Sequence, residues 1–577
     1  MHYNLIKSRN RRYLEELKDR GHEMPIVYDA VNIIQKTEWV INKPVFDVFE
    51  HCVNHDLVLG KLPINPDNIE LPPKPVDIKT NKEARLAWRK LAKPIYKIQK
   101  TQRSKFLQVH AIKTIAKIFI GLDKSFFFPQ QMDFRVRIYP VPPMLNPQGA
   151  DYARALLRFK WGKKMGSNDN FDYFAVYGAN LYGVVDKENL DIRKQWVLDN
   201  AEQILSTATN PLEDIWWSKA DKPFCFLAWA MEYKAFADTE FDAEFITTLP
   251  IQADCSNSGL QHYSAMMRDE IGGKATNLIP ANKPNDVYNE VSDKVIEKLK
   301  LFDKDIGEYI IRYEGKKKLE VDASLPKLWL NYVINRKLCK KPVMCLPYGL
   351  KRFSCRKYIE DHVIRELQER NTPHPFGNDL FKASQFLTRI VWESIGEVVI
   401  GAREVMKFLQ DVSSLVSSEN LPITWTTPLN FPVMMLNYEM ESKRVKTKMG
   451  DQIVKLTIQS ETDKISRRKS RQSVAPNWIH SLDASCLQLA VTKAHAAGIG
   501  SFAMIHDSFG VLAPDYRIMA ECIRDAFCEI YKEDVLKKWA DEMYAMLSPK
   551  NQRKFPPLPK KGNLDLDLVK KSVFFCI

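Results

Sequence analysis

The sequence predicts an α+β protein that is largely helical and has a small antiparallel sheet. Stretches with helical periodicity, above all from 285 to 410, are much longer than the apolar segments between them. Two short apolar segments, SFAMI and FGVLAP, flank the tripeptide His506–Ser508 and predict two strands joined by a tight turn. Alternating residues from 430 to 460, interrupted at 449–451, predict a long hairpin.

The composition is that of a folded, basic protein. Its 577 residues exceed one typical domain, and 45% of them are hydrophobic and 27% charged, so several domains or one large domain with insertions are expected. The 85 Lys and Arg against 71 Asp and Glu give a net charge of +14. This charge favours a polyanionic partner, and it is also compatible with simple solubility.

The cysteines and the apolar runs bear on the compartment. The ten cysteines form no CxxC pair and no Cys/His cluster, so the sequence predicts neither a structural zinc site nor a disulfide framework and fits a reducing compartment. No apolar run approaches the roughly 20 residues that cross a bilayer, and the first residues lack the apolar core of a secretory signal. We therefore expect a cytoplasmic protein without a membrane partner.

The first half of the chain is divided by a proline-rich segment, LPINPDNIELPPKPVDIKT. This composition excludes long helices and predicts a linker after a small N-terminal helical piece. Asn81 can cap the helix that follows, in which basic residues recur between apolar ones and give one face that is strongly positive or simply solvated. From 162 to 244 the aromatic runs DIWW and PFCFLAWAMEY predict a packed helical core.

A second carboxylate, Asp254, ends an extended segment in the same way that Asp507 stands at a strand tip. A turn containing Ser256, Ser258 and Gly259 then opens a helix. Two carboxylates side by side repel each other unless cations lie between them. A pair of Mg²⁺ ions roughly 3.5–4 Å apart is the usual solution in enzymes that join or cut phosphodiesters.

A third stretch, NRKLCKKPVMCLPYGLKRF, supplies positive charge. Arg336 and Lys340 lie four apart and project from one face of a helix, with Tyr348 about two turns further along. Such a face could clamp a triphosphate, because Arg binds phosphate through its planar fork and Lys acts as a mobile point charge. Pro342 and Pro347 interrupt this helix, and a kink that still presents the three side chains to one pocket is expected.

Together these motifs resemble the single-subunit, bacteriophage-type DNA-dependent RNA polymerases. DCSNSGLQHYSAMMRD resembles motif A of that family, RKLCKKPVMCLPYG its motif B and IHDSFG its motif C. The supporting matches FFFPQQMDFRVRIYPV, NPLEDIWW, SVAPNWIHSLDAS and LPKKGNLDL extend the resemblance over residues 26 to 577. The resemblance implies a right-hand polymerase fold with thumb, palm and fingers, the small sheet lying in the palm.

The resemblance also implies a division into domains. We expect a remnant of an N-terminal helical domain at 1–60, the linker and thumb at 61–124, the first palm segment at 125–161, a palm insertion module at 162–244, the second palm segment with motif A at 245–270, the fingers at 271–480, and the third palm segment with motif C and the C-terminal segment at 481–577.

By this resemblance, Asp254 and Asp507 hold two Mg²⁺ ions. The main-chain carbonyl of Cys255, which stands where glycine is usual in the family, is a further metal ligand. Lys340 matches the lysine that contacts the nucleotide phosphates and protonates the leaving pyrophosphate, and Arg336 matches a phosphate-binding arginine.

Other matches concern the sugar and the template. Tyr348 and His480 match residues that favour ribose over deoxyribose, and Tyr288 matches a tyrosine near the same pocket. Arg135 and Arg137 match residues that hold the template or the hybrid. Val136 replaces a glycine between these two arginines, which leaves the local backbone geometry open.

The implied partners are a DNA template, an RNA transcript and NTPs. The hairpin at 430–460 occupies the place of the family's promoter-reading loop, and the alternative is a structural hairpin of the fingers. Only 132 residues precede Asp133, where the family carries a sizeable N-terminal domain. We therefore expect a second polypeptide that supplies promoter-binding functions, or a template that is already melted. If a phage encodes the chain, the compartment is the host cytoplasm.

Two other functions remain open from the sequence. A DNA polymerase of the same superfamily shares the chemistry, but its motif C usually ends His-Asp-Glu, and Ser508 stands here instead. A catalytically silent nucleic-acid-binding scaffold would keep the basic groove without the chemistry. The presence of every expected catalytic side chain disfavours a scaffold.

Overall fold

The computed structural model describes residues 5–8, 10–304, 311–312, 318–319, 324–332, 334–370, 375–450 and 452–576. The chain is largely helical with small antiparallel sheets, as predicted. No helix among the described residues is both long enough and apolar enough to cross a membrane.

The N-terminal part is helical and ends in one very long helix. Its elements are α1 (Arg11–Asp19), α2 (Pro25–Gln35), β1 (Trp39–Ile41), α3 (Lys43–Asn54) and α4 (Lys82–Leu122). The predicted cap of α4 is confirmed, because the Asn81 side chain accepts hydrogen bonds from the backbone N–H groups of Glu83 at 3.0 Å and Ala84 at 3.1 Å.

The following region consists of short strands and a helical module. Its elements are β2 (Gln130–Met132), β3 (Ile138–Pro140), α5 (Asp151–Ala155), β4 (Leu157–Phe159), β5 (Lys163–Lys164), α6 (Asn168–Tyr182), α7 (Leu190–Asp199), α8 (Ala201–Thr209) and α9 (Pro223–Ala237). The predicted aromatic core is confirmed, since Trp217 and Trp229 are fully buried. The indole N–H of Trp229 donates to the carbonyl of Phe174 at 2.9 Å, which satisfies its polar group inside the core.

The central region is a helical array behind one short strand. Its elements are β6 (Ile246–Thr247), β7 (Ile251–Asp254), α10 (Ser258–Met267), α11 (Glu270–Ala275), α12 (Val287–Lys304), β8 (Ile311–Arg312), β9 (Lys318–Leu319), α13 (Leu325–Tyr332), α14 (Arg336–Cys345), α15 (Arg352–Arg370), α16 (Leu380–Val398) and α17 (Ile400–Ser418). The helical prediction for 285–410 is thus confirmed where the structure describes the chain.

The C-terminal region contains the long hairpin and the remaining strands. Its elements are β10 (Ile423–Thr426), β11 (Pro432–Met435), β12 (Tyr438–Met449), β13 (Gln452–Ile465), α18 (Arg467–Ala496), β14 (Ala503–Ile505), β15 (Ser508–Val511), α19 (Tyr516–Ile530), α20 (Val535–Met546), α21 (Pro549–Gln552) and α22 (Asp567–Lys571). The predicted hairpin is confirmed as β12 and β13, shifted from 430–460 because β10 and β11 form a separate pair. Of its predicted turn, Asp451 lies outside the described residues.

A three-stranded antiparallel sheet in the order β14, β15, β7 lies between two hydrophobic clusters. Ile251, Ala253 and Ala503 belong to the cluster that contains the aromatic module, whereas Phe509 and Val511 belong to the larger cluster. Because the sheet joins both clusters, the ends of its strands are held rigidly.

The motif B helix is shorter than predicted. Helix α14 contains Pro342 and ends at Cys345, and Tyr348 lies in the turn that follows rather than two turns further along the same helix. Gly349, the last residue of the turn, has φ of 78°. The N–H of Leu350 donates a hydrogen bond to the carbonyl of Cys345 at 3.2 Å. The Tyr-Gly pair therefore forms a glycine C-cap, in which the left-handed backbone favours glycine.

The prediction that the cysteines carry no disulfide is wrong at one position. Cys255 is bonded to Cys576 across 321 residues of sequence. The other cysteines of the described chain are free, and most are buried. Spacing along the chain carried no signal of this pair, because only the fold brings its two members together.

Candidate active site

The two predicted carboxylates meet at the same end of the three-stranded sheet. Strand β7 ends at Asp254, directly opposite Ser508 of β15. The N–H of Cys255 donates to the carbonyl of Asp507 at 3.2 Å. His506, with φ of 54°, makes the tight turn that places Asp507 there. The prediction that two strand tips more than 250 residues apart come together is therefore confirmed.

The electrostatics of the two carboxylates differ. Burial, Asp483 and Asp254 raise the pKa of Asp507 to about 6, against the opposing effect of the Ser258 hydroxyl. Partial desolvation would raise the pKa of Asp254, but Lys222, whose Nζ lies 3.4 Å from Oδ2, helps to lower it below its ordinary value. The Asp254 side chain is 52% exposed, which leaves its oxygens open to a ligand from solvent.

This donor set fits a divalent cation. Asp254 and Asp507 are the candidate side-chain ligands, because the strand pairing brings them to the same end of the sheet. The part of the chain that the structure describes contains no cluster of three or more His, Cys, Asp or Glu side chains suited to a metal. Mg²⁺ is commonly held by one or two carboxylates, with waters and substrate phosphates completing its shell. Burial, together with the neighbouring carboxylates of Asp483 and Asp254, raises the pKa of Asp507, and a bound cation would favour the ionised carboxylate.

The positive side of the site is built on α14. Arg336 is ion-paired with Asp286 through Nε, and its guanidinium lies 5.1 Å from the ring centroid of Tyr288. Asp286 in turn accepts from the N–H of Tyr288 at 2.9 Å, and the Asn257 amide donates to the Tyr288 phenol at 3.3 Å. Arg336 and Tyr288, both predicted site residues, are thus fixed in one packed arrangement.

Lys340 lies one turn after Arg336 and is exposed. Partial desolvation and the neighbouring charges of Arg336 and Lys187 lower the pKa of Lys340, although Asp186 and Asp221 act in the opposite direction. No ion pair joins Lys340 to either sheet-end carboxylate within the described ranges of the chain. The charges that act on Lys340 besides Arg336 belong to residues between α6 and α9, so Lys340 lies near that part of the helical module.

Tyr348 packs between the start of α10 and helix α18. Its ring lies 4.7 Å from that of His480. A Cβ added at Gly259 would lie 3.1 Å from the Tyr348 hydroxyl, so a side chain there would require Tyr348 to shift by a few tenths of an ångström. Arg135 donates to Nδ1 of His480 at 2.9 Å. The neutral imidazole consequently carries its hydrogen on Nε2, where it can donate to a ligand.

The two predicted template arginines are both engaged with carboxylates. Arg135 pairs with Asp133 at 2.5 Å, and Arg137 pairs with Asp483 at 2.6 Å. The Arg137 side chain is only 12% exposed, so it supports the floor of the site, and its contact with a template stays a prediction. Val136 between them has φ of 69° and is fully buried. The sequence left this backbone geometry open, and the structure shows a left-handed conformation that a β-branched residue rarely adopts.

Several residues of the site escaped prediction. Asp286, Asp483 and Lys222 each contact or perturb a predicted residue, yet none stands in a motif whose spacing reveals its partner. Only Asp286 had a local signal, since Asp before a helical run is a common N-cap. Asp483 lies within SVAPNWIHSLDAS, a matched segment in which only His480 was assigned.

We expect His480→Gln to weaken the acid sensitivity of the fold. Burial, Arg137 and Arg135 lower the pKa of His480 to about 3. Below pH 6.5 the unfolded chain therefore binds a proton here that the folded chain rejects, and stability falls as the pH falls. Urea unfolding should show that the unchanged protein loses about 2 kcal/mol more than the variant between roughly pH 7 and pH 5. His495→Gln, at an exposed position of the same helix, is the control, and equal losses in all three proteins would contradict the prediction.

Comparison with known proteins gives a consistent result. A family model for DNA-dependent RNA polymerase matches residues 163–553. The DNA-directed RNA polymerase of Enterobacteria phage T3 is 35% identical over 582 residues, which cover 96% of this chain and 64% of that protein. T7 RNA polymerase of Escherichia phage T7 is 33% identical over 609 residues, covering 99% of this chain and 66% of that protein.

Organellar proteins are similar as well. DNA-directed RNA polymerase 2, chloroplastic/mitochondrial, of Arabidopsis thaliana is 32% identical over 563 residues, covering 96% of this chain and 52% of that protein. The chain spans less than two thirds of the length of each of these three relatives. The region matched by the family model contains both sheet-end carboxylates and all of α14. This chain belongs to the DNA-dependent RNA polymerase family.

Proposed function

We propose that the protein is a DNA-directed RNA polymerase that adds nucleotides from NTPs to the 3′-OH of an RNA chain. The observation that carries this proposal is the meeting of Asp254 and Asp507 at one end of the β7–β15 pair. Mg²⁺ bound there would activate the attacking hydroxyl and stabilise the leaving pyrophosphate, which is the usual role of metal ions in such displacements.

We assign the fold to the right-hand polymerase class. The three-stranded sheet forms the palm, α4 the thumb, and helices α12 to α17 the fingers, with the domain limits expected from the sequence. The basic composition of α4 supports its place along a nucleic acid. The position of the sheet between two hydrophobic clusters supports its role as a rigid floor.

The cations opposite the carboxylates bind the triphosphate. Asp286 and Tyr288 hold Arg336 in place, so its side chain loses little conformational entropy when the guanidinium binds phosphate. Lys187 is near enough to help lower the pKa of Lys340, and both cations are placed on the triphosphate in this proposal. The lowered pKa of Lys340 makes its ammonium a better donor of a proton to departing pyrophosphate.

The incoming ribose is recognised by the polar groups around Tyr348. The rings of Tyr348 and His480 are in contact, with centroids 4.7 Å apart, and both the phenol and the Nε2–H of His480 can hydrogen-bond a sugar hydroxyl. A site built to bond a hydroxyl discriminates strongly against an analogue that lacks it. This arrangement favours NTPs over dNTPs and therefore an RNA polymerase over a DNA polymerase.

The hairpin of β12 and β13 contacts DNA in this proposal. Arg444, Lys446, Lys448 and Lys455 share one face of the hairpin, as their cross-strand register shows, and all four are exposed. Such a ribbon can enter the major groove and neutralise phosphates. Its reading of a promoter stays a prediction, and so does a second polypeptide with promoter-binding functions.

Primer extension tests the proposed function. A short RNA annealed to a DNA template is mixed with the protein, Mg²⁺ and NTPs, which bypasses any need for a promoter. Template-dependent extension with NTPs supports an RNA polymerase, and preferential extension with dNTPs supports the DNA polymerase alternative. Binding of the hybrid without extension by either substrate supports the silent scaffold.

Tyr348→Phe should relax sugar selection in that assay. A dNTP leaves the phenol of Tyr348 without its hydrogen-bond partner, at a cost of about 1–3 kcal/mol, and phenylalanine removes that cost. The kcat/KM for dNTPs should therefore rise, and the preference for NTPs over dNTPs should fall about tenfold or more. The measurement is the ratio of kcat/KM for the two substrates. Tyr358→Phe removes a phenol on the next helix, α15, and should leave the ratio unchanged. An unchanged ratio in Tyr348→Phe would refute the role of that phenol.

A further inference from the structure

The C-terminal tail segment, residues 572–576, is joined to the strand that carries Asp254. Cys576 forms a disulfide with Cys255 and also an antiparallel bridge with it. Cys255 follows Asp254 directly, and its N–H donates to the carbonyl of Asp507. The disulfide thus joins the tail segment to Cys255, the residue whose N–H is hydrogen-bonded to the carbonyl of Asp507 and which follows Asp254 in the chain.

Hydrogen bonds and buried side chains also hold the tail segment. At its start, Arg524 donates to the carbonyl of Ser572 at 2.9 Å, and the Ser572 hydroxyl donates to the carbonyl of Asn277 at 2.6 Å. The Ser256 hydroxyl donates to the carbonyl of Phe574 at 3.2 Å, and the Gln261 amide donates to that of Phe575 at 3.0 Å. Phe575 is buried, with its ring 4.9 Å from that of Phe527. The two hydrogen bonds hold the turn after Asp254 and the first turn of α10, and Phe575 packs against α19. The tail segment therefore supports the turn between Asp254 and α10.

We propose that the Cys255–Cys576 disulfide is a redox-controlled positioning element for Asp254. The inference rests on the proposed function. Without the disulfide, Cys576 loses its covalent link to Cys255, and noncovalent contacts hold the tail segment. In the dithiol form the main chain at Cys255 is held less firmly, and the carboxylate pair binds Mg²⁺ less tightly. Supporting contacts of this kind commonly change metal affinity by one or two orders of magnitude.

Small thiols have a route to this bond. Cys255 is partly exposed, and Cys576 lines a cavity of about 200 Å³ together with Tyr177, Gln252 and Tyr516. A dithiol supplies two electrons and two protons. One of its sulfurs attacks a disulfide sulfur, its second sulfur then closes the donor's own cyclic disulfide, and Cys255 and Cys576 are left as thiols. Reducing compartments keep cysteines as thiols, so the disulfide between Cys255 and Cys576 is expected to form only under oxidising conditions.

The test compares the whole chain in two redox states. One sample is equilibrated with oxidised glutathione and the other with dithiothreitol, and both are freed of reagent before use. Primer extension across a Mg²⁺ series should show a half-saturating concentration about tenfold higher in the reduced sample. The rate at saturating Mg²⁺ should change less. Amide hydrogen exchange should be faster in the tail segment of the reduced sample, and reoxidation should restore both properties.

Variants separate this bond from other thiol chemistry. Cys576→Ser should behave like the reduced protein in both samples. Cys522→Ser changes a partly exposed cysteine of α19 outside the tail segment and should keep the full response. Should Cys576→Ser fail to fold, the two redox states of the unchanged chain still decide the question.

Three results would overturn the inference. These are free thiols at both positions in peptide maps of the oxidised sample, the same Mg²⁺ dependence in both redox states, and the same exchange of the tail segment in both. Absence of nucleotide addition in both samples would defeat the proposed function. In that case the role of the disulfide is decided by amide hydrogen exchange measured with and without Mg²⁺. If the amides near Asp254 become protected at a lower Mg²⁺ concentration in the oxidised sample than in the reduced one, the inference is supported. Equal protection in the two samples overturns it.

Discussion

Asp507→Asn should abolish nucleotide addition while the protein still binds the RNA–DNA hybrid. The substitution keeps the shape of the side chain and removes the negative charge that a cation needs. We expect primer extension to fall by at least about 10³-fold, which corresponds to roughly 4 kcal/mol of lost transition-state stabilisation. Hybrid affinity depends mainly on phosphate contacts made elsewhere, so it should stay within about a factor of two to three.

The same substitution should stabilise the metal-free protein. The pKa of Asp507 is raised to about 6 in the fold, so at pH 7 the ionised carboxylate opposes folding, and this cost disappears as the pH falls through 6. Asparagine removes the cost at every pH. The gain at pH 7 should be on the order of 2 kcal/mol, and it should vanish below about pH 4. Mg²⁺ should stabilise the unchanged chain more than the variant.

The control for Asp507→Asn is Asp541→Asn. Asp541 lies on α20 in an exposed ion pair with Lys537, so the same change of charge should leave extension intact and shift stability by less than about 0.5 kcal/mol. Retention of more than a tenth of the extension rate by Asp507→Asn would contradict the role of this carboxylate. So would an equal loss of activity in both variants.

The parts of the site that could be predicted are those that local sequence determines. Two apolar segments around His506–Ser508 can only form a tight turn, and the extended run before Asp254 ends where the polar turn begins. The N-cap of α4 and the long hairpin could be predicted for the same reason. In each case the physical cause acts within a few residues, so the sequence alone records it.

The parts that escaped prediction depend on contacts between distant segments. The pairing of Lys222 with Asp254 and that of Arg137 with Asp483 arise only after the strands and α18 are packed. The disulfide of Cys255 had no spacing to reveal it. Tyr348 was placed on the wrong element because helical periodicity was extended past Cys345, whereas the Tyr-Gly cap had already ended the helix.

Lys340→Met should slow nucleotide addition about 10²–10³-fold, the range expected when a general acid is lost. The lowered pKa of Lys340 reflects partial desolvation and the nearby charges of Arg336 and Lys187, and it makes proton donation to pyrophosphate easier. Lys340→Arg separates charge from acidity. Arginine keeps the positive charge but holds its proton too strongly to donate it. We therefore expect Lys340→Arg to restore NTP binding, seen as a near-normal KM, without restoring kcat.

Lys341→Met is the matched control, because Lys341 is the next residue of α14 and its Nζ lies over the ring of Tyr358 at 4.5 Å. The same loss of charge on the same helix should leave kcat within about a factor of two to three, since an exposed cation outside the site contributes little. If Lys341→Met is as slow as Lys340→Met, a general field of positive charge drives the reaction. If Lys340→Arg recovers full kcat, the ammonium acts through its charge and another group supplies the proton.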